Sequence, residues 1–217
     1  MGAASAEDGR GWIPLELAFR SSSPMVGKMI ACLVTAFPDG ALSRTQANAD
    51  SMLHQACYQQ IILSNPHAAK MVKILLAFHP ETAYSVNKFS QTALHIAAMT
   101  DAPQAVEIME DIIMRYPKAL LLADHLGNTP MHIAASVNNR SGIRKLVERS
   151  FRRPQHLQND FAQFPMDCTM NRKILKALVV TPQSSSKAFN WSVMILCTAV
   201  HMAVNGLILV HYWHHVL

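Results

Sequence analysis

Apolar residues recur at helical spacing in a series of short segments, each closed by a proline. Val72, Leu75 and Leu76 form one such stripe, and Val106, Met109, Ile112 and Ile113 form another. An apolar side chain every three or four positions marks an amphipathic helix with one buried face. The stripes end in an aromatic or basic residue followed by proline: Phe37-Pro38, His79-Pro80, Tyr116-Pro117 and Arg153-Pro154, with the prolines 42, 37 and 37 residues apart. Proline ends a helix there because it offers no N–H and crowds the preceding turn. A second string keeps step with the first. Its clearest copies are Thr129-Pro130-Met131-His132-Ile133-Ala134-Ala135 and Thr92-Ala93-Leu94-His95-Ile96-Ala97-Ala98. Weaker copies are Ser51-Met52-Leu53-His54-Gln55-Ala56-Cys57, Ile13-Pro14-Leu15-Glu16-Leu17-Ala18 and Phe164-Pro165-Met166-Asp167-Cys168. The Leu/Met position falls at 15, 53, 94, 131 and 166, which gives spacings of 38, 41, 37 and 35. Two markers in phase predict an all-α chain of stacked helix pairs.

Each part of the string has a physical role. Thr or Ser ahead of a helix accepts from its unpaired N–H groups, and proline at the first helical position sacrifices no bond. Leu and Ile then face the core, while Ala lets the neighbouring helix come close. Asp124-His125-Leu126-Gly127-Asn128 carries turn chemistry between one unit and the next. Gly127-Asn128-Thr129-Pro130-Met131-His132-Ile133-Ala134-Ala135 resembles the fingerprint of the ankyrin repeat, Gly-x-Thr-Pro-Leu-His-x-Ala-Ala. The resemblance covers about residues 11–180, and the units exceed the usual length of about 33 residues. The excess is expected in helix–helix loops such as residues 59–67 and ahead of the turns.

The resemblance implies an ankyrin-repeat helical solenoid of about four units plus a degenerate fifth. Such stacks bind other proteins on an extended surface of turns and first helices. It therefore implies an unidentified protein partner held by two turns and the helix starts after them. The expected contacts are Lys88, Phe89, Ser90 and Gln91 in one turn, and His125, Leu126, Gly127 and Asn128 in the other.

The C-terminal pattern is of another kind. Trp191 to Trp213 is 23 residues without a charged side chain, and about 20 apolar residues in a helix span the roughly 30 Å hydrocarbon core of a bilayer. Trp191 at one end and Tyr212 and Trp213 at the other match the aromatic belts of a spanning helix. The plan is then a disordered N-terminus over residues 1–10, repeats over 11–180, a linker over 181–188, a transmembrane helix over 189–213 and a short tail over 214–217. Arg172, Lys173, Lys176 and Lys187 precede the span, so the positive-inside rule leaves the repeats in the cytosol. With four residues after Trp213, this is the layout of a tail-anchored protein, of the endoplasmic reticulum or the mitochondrial outer membrane. His201 and Asn205, one turn apart inside the span, offer a route to a homodimer through the transmembrane helix.

Charge sharpens this picture. The net charge of +5 is unevenly spread: residues 1–139 carry nine basic and eleven acidic side chains, residues 140–187 ten and three, and the rest none. Arg144, Lys145, Arg149, Arg152, Arg153 and Lys187 are therefore expected to contact anionic lipid. Nucleic acid is not an expected partner, because no aromatics interleave with these cations. Cys32, Cys57, Cys168 and Cys197 form no Cys-x-x-Cys pair, which argues against a zinc knuckle or a disulfide scaffold. His54, His95 and His132 recur one per unit. Stacked helices lie roughly 8–10 Å apart and zinc holds its nitrogens at about 2.1 Å, so these histidines are read as hydrogen-bonding groups of their own turns. No metal, cofactor or catalytic set is expected, and the chain reads as a non-enzymatic, membrane-anchored adaptor or scaffold. Two other readings stay open: a subunit of an oligomeric membrane transport or channel assembly, and a soluble ankyrin protein with an apolar capping helix.

Overall fold

The computed structural model describes residues 13–21, 23–43, 48–63, 67–150, 154–169, 171 and 178. The chain divides into two units, Met1–Val180 and Thr181–Leu217, and the described residues all belong to the first. Among them the elements are helical and no strand forms; Ser51, Val86 and Thr92 are isolated bridge residues, the last two paired with each other. The predicted span over 189–213, its anchors Trp191, Tyr212 and Trp213, and His201 and Asn205 lie outside the described residues. So do Arg152, Arg153, Lys187, the linker and both terminal segments. Among the described residues no helix is long and apolar enough to cross a membrane.

Among the described residues four helix pairs follow one another. The first is α1 (Pro14–Phe19) and α2 (Val26–Ala36), followed by the single turn α3 (Pro38–Ala41). The second is α4 (Met52–Leu63) with α5 (Ala68–Phe78), and the third α6 (Ala93–Ala97) with α7 (Pro103–Arg115). The fourth is α8 (Pro130–Ser136) with α9 (Arg140–Arg149). The worn fifth copy supplies a 3₁₀ turn, Pro165–Cys168, in place of a first helix.

The proline marker does what its chemistry dictates. Phe37, His79 and Tyr116 leave the helix with φ near −140° (−142°, −132° and −138°), and each still donates its N–H to the carbonyl four residues back. The prolines after His79 and Tyr116 open short 3₁₀ helices, Pro80–Tyr84 and Pro117–Leu121. Both stripes read from the sequence are buried: Val72, Leu75 and Leu76 on α5, and Met109, Ile112 and Ile113 on α7, with Val106 half-buried at the edge. Burying side chains of this size stabilises by about 1.5–3 kcal/mol each, and one continuous core runs from Ile13 to Val147 and includes Leu178.

One expectation is corrected. The extra length of the second unit does not form a loop at residue 59, because α4 continues to Leu63. Gln59-Gln60-Ile61-Ile62-Leu63 contains no glycine or proline, and nothing in it stops a helix before Asn65-Pro66.

Candidate functional site

The turns between units are built to one plan. Asn87, Asp124 and Asn159 each fold a side-chain oxygen over the following loop. Asn87 Oδ1 accepts from the N–H of Phe89 and Gln91 at 2.9 and 3.0 Å. Asp124 Oδ1 accepts from Leu126 and Asn128, both at 2.9 Å, and Asn159 Oδ1 from Phe161 and Gln163 at 3.1 and 3.0 Å. A backbone bond closes each loop, from Asn87 N–H to Gln91, Asp124 N–H to Asn128 and Asn159 N–H to Gln163, at 2.8–3.0 Å. Asn and Asp are the side chains short enough to make such a turn on their own backbone. The price of the tight geometry is a left-handed residue at the fourth position: Ser90 at φ +58°, Gly127 at +74° and Ala162 at +57°.

These loops are tied side by side. Lys88 donates its N–H to the Asn48 carbonyl at 2.8 Å, His125 to Phe89 at 3.0 Å, and Asp160 to Leu126 at 3.1 Å. Side chains add to the ladder through Asn87 Nδ2 to Asp50 Oδ1 at 3.0 Å and Asn159 Nδ2 to Asn128 Oδ1 at 2.9 Å. At Gly127 a Cβ would come within 2.5 Å of the Asp160 nitrogen. Glycine there is required both by φ and by the closeness of the next loop.

The recurrent histidines lock loop to helix. His95 Nδ1 accepts from the Thr92 N–H at 3.1 Å and lies 2.9 Å from the Thr92 hydroxyl, while Nε2 donates to the Asn128 carbonyl at 3.1 Å. His132 repeats this with Thr129 and the Gln163 carbonyl, and His54 with Ser51 and the Gln91 carbonyl. A backbone N–H on one nitrogen and a carbonyl on the other leave one tautomer, neutral and protonated at Nε2. Each histidine thus bonds its own turn, as expected, and also reaches into the next unit. Burial holds the His95 pKa down at about 4 and lowers that of His132, the carbonyl bonds opposing it in part. Among the described residues no group of three His, Cys, Asp or Glu is placed to hold a metal.

The outer copies carry an acid in the histidine's place. Glu16 stands in its place in the first unit, where its carboxylate accepts from the Ile13 N–H at 3.1 Å and from Gln55 Nε2 at 3.3 Å. Asp167 stands there in the last, accepting from the Phe164 N–H at 2.8 Å.

The stack pairs its helices across hydrogen-bonded turns, two of which run into Thr-x-x-His, and residues 53–155 match the family model described as ankyrin repeats (3 copies). These residues are ankyrin repeats. Among curated proteins, none matches the chain. Ankyrin repeats are a protein–protein interaction module, generally without enzymatic activity, so the surface of interest is the one their turns expose.

All eight expected partner contacts lie on the ankyrin turns, but they divide into two sets. Gln91 and Asn128 give their carbonyls to His54 and His95, and Gly127 packs against Asp160. Lys88, Ser90, His125 and Leu126 are exposed at the tips, with Phe89 half-buried beside them. The Phe89 ring meets the His125 ring at 5.5 Å between centroids, and Lys88 Nζ sits 5.1 Å from the Phe89 centroid. Sequence reasoning missed the third tip of the row, Asp160 and Phe161, with Phe161 65% exposed against 40% for Leu126. Its signal was present: Asn159 precedes Phe164 by five residues, as Asn87 precedes Thr92 and Asp124 precedes Thr129.

The basic cluster is also divided. Lys145 Nζ lies 2.8 Å from Glu110 Oε2, and Arg149 pairs with Glu110 as well, whereas Arg144 is exposed. Two of the expected lipid contacts therefore spend their charge on the neighbouring ankyrin unit.

Proposed function

We propose that the chain is a membrane-anchored ankyrin-repeat adaptor that holds a protein partner on the tips of its turns. The observation that carries this is the row Phe89, Leu126 and Phe161. One apolar side chain sits at the same position of three successive turns, and each turn is fixed by its own Asn or Asp cap and tied to the next. Hydrogen-bonded loops are pre-organised, so a partner is bound without the cost of ordering them. Lys88 and Asp160 place opposite charges on the first and third tips, which favours one direction of docking.

Anchoring rests on the sequence: the 23 uncharged residues from Trp191 to Trp213, their aromatic ends and the basic residues ahead of them. In this reading residues 181–188 link the repeats to a single spanning helix, and the repeats face the cytosol. Arg144 and the basic residues near the linker then meet anionic lipid, and His201 and Asn205 are available for pairing between spans.

Carbonate extraction of membranes from cells expressing the full chain, or a version ending at Ser186, tests the anchor. Resistance of the full chain alone supports it, and release of both versions removes it. Capture of a partner by the full chain is expected to be lost on Leu126→Asp with Phe161→Asp and kept on Arg144→Ala. Capture insensitive to the double substitution counts against the tips.

A further inference from the structure

The three turn tips form a ladder in which polar and apolar residues alternate along the stack: Lys88 then Phe89, His125 then Leu126, Asp160 then Phe161. Its rungs are backbone hydrogen bonds, from the His125 N–H to the Phe89 carbonyl at 3.0 Å and from the Asp160 N–H to the Leu126 carbonyl at 3.1 Å. A bond of this kind holds the two Cα atoms about 5.5 Å apart, and the next residue of each loop lies about 3.8 Å further on. Successive apolar tips, from Phe89 to Leu126 and from Leu126 to Phe161, are therefore no more than about 9 Å apart. Each loop is fixed by its own Asn or Asp cap, so this period is built into the chain before anything binds.

The period selects among the shapes a partner segment can take. An extended strand returns to the same face every second residue, at about 6.6–6.8 Å, and is out of register by the second tip. An α-helix returns after seven residues, at about 10.5 Å, and overshoots each tip by more than about 1 Å. It also sets a further apolar turn against His125 and Asp160. A polyproline II helix returns every third residue, at about 9.3 Å, and meets all three tips along one edge. The surroundings suit the same ligand. Such helices dock on aromatic surfaces, and here the Phe89 and His125 ring centroids lie 5.5 Å apart, with the exposed Phe161 ring at the far end. Lys88 Nζ sits 5.1 Å from the Phe89 centroid and Asp160 is exposed at the third tip, so the row is cationic at one end and anionic at the other.

We propose that the segment held on the turn tips is a polyproline II helix with an apolar side chain at every third position, an acid at the Lys88 end and a base at the Asp160 end. This rests on the adaptor reading and gives the chemistry of the segment it binds. A polyproline II segment is already extended and loses little freedom on binding.

The probe is a fluorescein-labelled synthetic peptide of three Pro-Pro-Leu repeats, made with Glu before and Lys after the repeats, and again with the two ends exchanged. Its anisotropy is read against the full chain in neutral detergent. Saturable binding is expected, stronger by about threefold or more for one order of the ends. The charge exchange Lys88→Glu with Asp160→Lys should make the other order the stronger. Leu126→Asp and Phe161→Asp should each weaken binding by about tenfold or more, with circular dichroism unchanged because both side chains are exposed. Absence of saturable binding overturns the proposal, as does binding that ignores the tip substitutions or the order of the ends. Equal binding of a peptide with Leu at every second residue, or of a helix-forming peptide with Leu at every seventh, overturns it too. A cellular partner captured through the tips of a chain that binds none of the Pro-Pro-Leu peptides removes the polyproline assignment and leaves the adaptor reading standing, so the two fail separately.

Discussion

Replacing His95 by Leu tests whether the repeated histidine holds one ankyrin unit to the next. Leucine fills a similar volume in the same fully buried place, so the change removes bonds more than packing. It deprives the Thr92 N–H and hydroxyl of their acceptor and the Asn128 carbonyl of its donor. A buried group left without its partner costs about 1–3 kcal/mol. The N–H and the carbonyl together predict a loss of roughly 2–6 kcal/mol, a large share of the total stability of a domain this size. Urea unfolding of residues 1–186 at pH 7.5, read by circular dichroism, would see the midpoint fall by about 1–2 M at ordinary slopes. A second signature comes from acid. Folding lowers the His95 pKa from 6.5 to about 4, chiefly by burial, so between those values the unfolded chain binds the extra proton. Stability is then complete above about pH 6.5 and drains away as pH falls toward 4, by roughly 3 kcal/mol for this one residue. In His95→Leu that share of the pH dependence is absent. A midpoint shift under about 0.5 M, or an acid profile identical to that of the parent, would refute the role given to His95.

Other sites follow the same logic. Gly127→Ala should lower stability by about 2 kcal/mol or more in thermal melts, since it adds a Cβ at φ +74° against the Asp160 nitrogen. Ala162→Gly, at φ +57° in the equivalent loop, should be neutral or stabilise by up to about 1 kcal/mol. Asn139→Ala removes the α9 cap to the Gly142 N–H and the bonds to the Ala98 and Thr100 carbonyls. It should cost about 2–4 kcal/mol in urea unfolding and expose α9 first in hydrogen exchange.

The repeat was legible because its chemistry is local. Thr-x-x-His and the closing proline act within a few residues of one another, so Thr92, His95, Thr129, His132 and the prolines could be read directly. What escaped depends on the neighbouring unit. The carbonyl at the far end of each histidine bond belongs to a residue more than 30 positions away, and Asn139 earns its place from Ala98 and Thr100 on the unit before. The third turn tip was missed because Phe164 stands where Thr would mark the helix start. The exposed face of the first unit was invisible for a plainer reason. Met29 holds the same place ahead of its proline as Met71, and only the fold shows that Met71 is covered and Met29 is not. The basic cluster looked free in the sequence because Glu110, which takes up Lys145 and Arg149, comes from another unit.

The most direct test of the adaptor reading is a photo-crosslinker scan of the full chain in cell membranes, one site at a time. The probe is placed at Leu126 and Phe161 on the turn tips, and at Lys73 and Arg144 on the outer helices. Adducts to one partner protein from the two tip sites, and none from the outer helices, are predicted. Adducts from the outer helices with silent tips would contradict the account.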